Sequence, residues 1–73
     1  MGPEKRATRN LAKHLRRYRL EKGWSQDELA YQTGSDRTYI SDIERGLRNP
    51  SLKTLARLAS ALDVTIGDLC DPD

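Results

Sequence analysis

Apolar side chains recur along this chain every three or four residues, and no stretch alternates apolar with polar as a half-buried strand would. Between Thr8 and Lys22, Leu11, Leu15 and Tyr18 fall on one helical stripe, and Gly23 suits the left-handed position that ends a helix. Ser25 to Glu28 has the spacing of a capping box and opens a short helix that ends near Thr33, with Leu29 and Ala30 inward. Asp36 caps the next helix, Arg37 to Arg45, whose Ile40 and Ile43 face the interior and which Gly46 stops. Asn49 before Pro50 marks a loop, and Ser51 then caps a helix with Leu52, Leu55, Leu58, Ala59 and Leu62 along one face. Thr65 to Asp68 has a second box-like start, for a last turn through Cys70. The pattern predicts an all-α, compact five-helix domain over residues 8–70. Residues 1–7 are expected as a flexible basic arm and residues 71–73 as a tail.

Composition narrows what such a domain can do. At 73 residues the core is thin. One cysteine (Cys70) excludes an internal disulfide framework, and with a single histidine (His14) it cannot build a closed zinc site. No apolar run approaches the ~20 residues of a membrane span, and no signal peptide is evident, so a cytoplasmic protein is expected. His14 lies in a basic stretch without a nucleophile at helical spacing and is expected to be solvated. No phosphate-cradling glycine loop and no placed carboxylate pair argue for an enzyme, and no cofactor, metal or small-molecule ligand is indicated.

Charge changes the picture more than its total does. The net charge is +2, but residues 1–22 carry eight basic side chains against Glu4 and Glu21, a balance of +6. The remaining segments, 23–48 and 49–73, are each at −2. A basic front facing a polyanion and an ordinary solvated helix face both fit this distribution.

The middle of the chain is the informative part. Two short helices meet at Gly34, which permits a sharp bend, and the second leaves Arg37, Thr38, Ser41, Asp42 and Arg45 off the core. A helix ~10–12 Å wide fits a DNA major groove ~12 Å across. The same spacing also occurs in purely structural bundles.

The stretches GWSQDELA, RTYISDIERGLRNPSLKTLARLASAL and VTIGDL make residues 11–69 resemble the Cro/repressor-type (XRE) helix-turn-helix family, the lambdoid phage repressor fold. Thr33 and Ser35 depart from it, standing where the family more often has aliphatic side chains. The resemblance implies a sequence-specific transcriptional regulator that reads a two-fold operator as a homodimer, with its third helix in the major groove. Arg37, Thr38, Ser41 and Asp42 become the expected base readers. Arg37 suits guanine, with a phosphate contact as the alternative. Asp42 either accepts from cytosine or pairs with Arg45 or Arg37. Ser25, Gln26, Tyr39, Arg45, Arg48 and Asn49 are the expected backbone contacts. Arg19 and Glu44 match a partly buried structural ion pair, and Val64, Ile66, Leu69 and Cys70 an expected dimer patch. Stand-alone members include phage repressors and controller proteins of restriction–modification systems; DRTYIS, IERG and RNPS look most like the latter. With no sensor domain apparent, control by protein concentration is expected. A protein-interaction module such as an antitoxin is the competing class, with Leu20, Tyr31 and Leu47 as its surface.

Overall fold

A computed structural model describes residues 3–72, with side chains from Arg6 onward, and contains five helices: α1 (Pro3–Glu21), α2 (Gln26–Thr33), α3 (Arg37–Glu44), α4 (Leu52–Leu62) and α5 (Ile66–Cys70). No strand occurs among the described residues. Polar caps set each start after the first. Ser25, Asp36 and Ser51 accept from the amides of Glu28, Tyr39 and Thr54 at 3.0, 2.8 and 3.2 Å. Thr65 and Asp68 form a complete reciprocal box at 2.9 Å in both directions. The box expected at Ser25 is only half made, because the Glu28 carboxylate accepts instead from Gln32 Nε2 at 2.9 Å. One helical turn separates those two side chains, which keeps Glu28 on the outer face.

Packing corrects four further expectations. α1 begins at Pro3, five residues before the expected Thr8, so residues 3–7 are its first turns; residues 1–2 lie outside the described part. Proline has a helix-compatible φ, and its missing N–H is not needed in a first turn. His14 is only 2% exposed, not solvated. Its position, three beyond Leu11 and four before Tyr18, puts it on the inner stripe, where Nδ1 lies 3.2 Å from the Leu69 carbonyl oxygen. Leu52 is 70% exposed. Six residues at about 100° each carry it roughly 120° from Leu58, off the inner face. Leu69, expected on a dimer patch, is fully buried inside the protomer, because α5 turns it in towards α1.

Leu15, Leu29, Ile40, Ile43, Leu58 and Leu69 form the fully buried centre, closed by Leu11, Ala30, Ala59 and Leu62. Each such burial contributes about 1.5–3 kcal/mol. α1 packs on α3 and α5, while α2 packs on α3 and α4. Between α2 and α3, Gly34 takes φ 69°, and the Ser35 amide donates back to the Ala30 carbonyl at 2.9 Å. Thr33, where the family prefers an aliphatic residue, is buried without penalty because its hydroxyl donates to the Leu29 carbonyl at 2.8 Å. The turn therefore stays packed, and α3 leaves it on a fixed heading.

Candidate nucleic-acid interface

α3 is amphipathic in the simplest way. Ile40 and Ile43 sink into the core, and the residues between them must face outward. Arg37 and Thr38 are exposed in its first turn, Ser41 and Asp42 are half-buried one turn later, and Arg45 is exposed at its end. The polar row expected to read bases thus lies along one accessible side of one helix.

The far end of α3 is clamped. Arg19 donates twice to Glu44, Nε to Oε2 at 2.6 Å and Nη2 to Oε1 at 3.0 Å, and its Nη1 donates to the Trp24 carbonyl at 2.7 Å. Both side chains are nearly buried, at 9% and 4% exposure. The bond to Glu44 raises the guanidinium pKa further, against a smaller opposite effect of burial. Gln26 Nε2 also donates to Glu44 Oε1, at 3.3 Å. The residue expected only as a backbone clamp is therefore tied to the ion pair, linking the start of α2 to the end of α3. Nothing in the spacing of Gln26 announces that bond, since the two residues meet only after the turn has formed.

Two charged contacts sit on the outer face. Arg37 Nε is 3.9 Å from Asp27 Oδ1, with both side chains largely exposed. Asp42 pairs with Arg48, at 3.5 Å, instead of the expected Arg45 or Arg37. Gly46, at φ 74°, turns the chain back so that the Leu47 amide reaches the Asp42 carbonyl at 2.9 Å, which brings Arg48 over α3. The Arg48 guanidinium also lies 5.3 Å from the centre of the half-buried Tyr39 ring. Asp42, Arg48 and Tyr39 thus form a unit that the sequence, read pair by pair, does not reveal. Ser25 and Asn49 are exposed.

In α5 and the turn before it, Val64, Ile66 and Cys70 are half-buried against the core. Burial pushes the Cys70 thiol pKa up, and Asp71 adds to the effect, so the inert thiol form is favoured. Among the described residues no three His, Cys, Asp or Glu side chains converge as a metal site would require. No helix among them is long and apolar enough to cross a membrane.

A capped short helix, a glycine turn and a second helix with a free polar side define a helix-turn-helix, and the helix-turn-helix family profile matches residues 15–69. The chain belongs to that family, whose members are DNA-binding transcription regulators and not enzymes. It is similar to a hypothetical transcription factor of Neisseria meningitidis serogroup B, with 47% identity over 62 residues. That match covers 85% of this chain but only 58% of the relative's length. A crystal structure of a hypothetical transcription factor from Neisseria superposes with a TM-score of 0.86 at 44% identity, covering 90% of this chain and 76% of that one. The restriction–modification controller protein C.AhdI from Aeromonas hydrophila gives a TM-score of 0.81 at 42% identity, covering 85% and 94%.

Proposed function

We propose that the protein acts as a homodimer on a two-fold operator, in the cytoplasm of a bacterium, as a repressor or controller protein. Each copy inserts α3 into a major groove. Arg37, Thr38, Ser41 and Asp42 face the base edges there, while Ser25, Gln26, Tyr39, Arg45, Arg48 and Asn49 hold the phosphates. One observation carries this reading. The Arg19–Glu44 clamp fixes the end of a helix whose outward side is an uninterrupted polar row. Such rigidity has little value on a mere surface, but base readout requires side chains held in register.

Asp42 fits best as the group that positions Arg48, which also lowers the cost of a carboxylate near phosphates. Because the outer face of α3 is almost neutral, discrimination depends on geometry more than on bulk attraction. Titrating the protein against random duplexes and duplexes selected for binding, at several salt concentrations, tests the proposal. A preference of 10³ or more is expected for selected sites. A preference below about 10-fold would remove the regulator reading.

A further inference from the structure

Four cations on α1, Arg6, Arg9, Lys13 and Arg16, have no part in the interface described so far. Their spacing of three, four and three residues keeps them on one side of the helix. At 1.5 Å per residue the row is about 15 Å long. Together with Arg45 and Glu44 at the end of α3, it walls a groove of about 620 Å³. All five basic side chains are exposed. Among the described residues Glu44 is the one carboxylate lining the groove, and its charge is already matched by Arg19. The described lining of the groove therefore carries more basic than acidic side chains.

Its shape suits an extended anion. Cations strung along a helix do not converge on a single phosphate, as a small-ligand site would require. One strand of duplex DNA carries a phosphate per about 3.4 Å of axis and winds around that axis, so a row of this length meets more than one of them. Arg45 belongs both to this groove and to the exposed side of α3, making the basic surface continuous with the base-reading side.

We propose that this groove holds the phosphate backbone of DNA flanking the half-site, so that α1 supplies sequence-independent affinity while α3 supplies discrimination. The inference rests on the operator-binding reading for its register, but the contact itself needs no particular sequence. The test compares wild type with the double variant Arg6→Gln/Arg16→Gln on duplexes sharing one central site, with and without ten-base-pair flanks, and on random duplexes of the same lengths. On flanked duplexes the variant should lose about 1.8 from the slope of log affinity against log salt, so its defect should shrink about 12-fold between 50 and 200 mM salt. On flankless duplexes the two proteins should bind alike, and the charge-keeping Arg6→Lys/Arg16→Lys should retain the wild-type slope. Thermal melts identify any loss due to unfolding, and the lysine pair then decides the matter in the folded protein. An unchanged slope, or equal loss with and without flanks, would overturn the proposal. If wild type shows no preference among sequences, the operator reading fails, while the difference in salt slope between wild type and variant on random duplexes still decides this inference.

Discussion

Glu44 is the side chain on which most of the interface depends, because Arg19, Gln26 and the end of α3 all meet at its carboxylate. Glu44→Ala should lower unfolding free energy by about 3–5 kcal/mol, since it leaves a buried guanidinium without its counter-charge. Urea melts measure this, and a loss under 1 kcal/mol would show the pair to be incidental. Arg37→Ala should leave the melt unchanged and relax preference at one half-site position by about 1–3 kcal/mol. If binding to every sequence weakens equally, Arg37 is a phosphate contact. At this scale the sequence was only partly legible. The partners Arg19 and Glu44 were identifiable through family resemblance, but Asp42 with Arg48 was not. That pairing depends on the backbone reversal at Gly46, and composition gives no measure of where a loop side chain returns. His14 was misread because a polar residue conceals its place in a stripe that Leu11 and Leu15 already mark.

Among the elements, the turn between α2 and α3 sets the heading of the proposed reading surface through one backbone conformation. A side chain at Gly34 would meet no atom within 4 Å, so substitution there is opposed only by its φ of 69°. Gly34→Ala should therefore cost about 1–2 kcal/mol, the usual penalty of a left-handed L-residue. In a domain of this size that lowers Tm by roughly 4–8 °C per kcal/mol, and calorimetry reads it directly. No change would mean that the turn relaxes without resistance. Helix starts were well marked in the sequence because caps are local: Ser25, Asp36, Ser51 and Thr65 all sit where their hydroxyl or carboxylate can accept an amide. The start of α1 carried no such polar cap, and the glycine and proline there suggested an arm where a helix already runs.

For the whole molecule, the question is what the thin core needs beyond itself. Its radius of gyration, 10.9 Å, matches the roughly 11 Å of a closed compact domain, so one chain completes the fold. A second copy is proposed for recognition, with Val64, Ile66 and Cys70 as contacts once Leu69 is assigned to the interior. Sedimentation at micromolar concentration should give a dimer, whose two reading helices lie ~34 Å apart on DNA. A strict monomer, even with a selected duplex present, would remove that assignment. The all-helical architecture was legible from periodicity alone, whereas the inward turn of α5 was not, because five residues are too few to show a period. That inward turn has a consequence in time. The contact between His14 on α1 and the carbonyl of Leu69 joins residues 55 positions apart. At 5–20 residues per second, about 3–11 s pass between their syntheses. During that interval α1 lacks the helix that covers it, so this part of the core closes only late in synthesis.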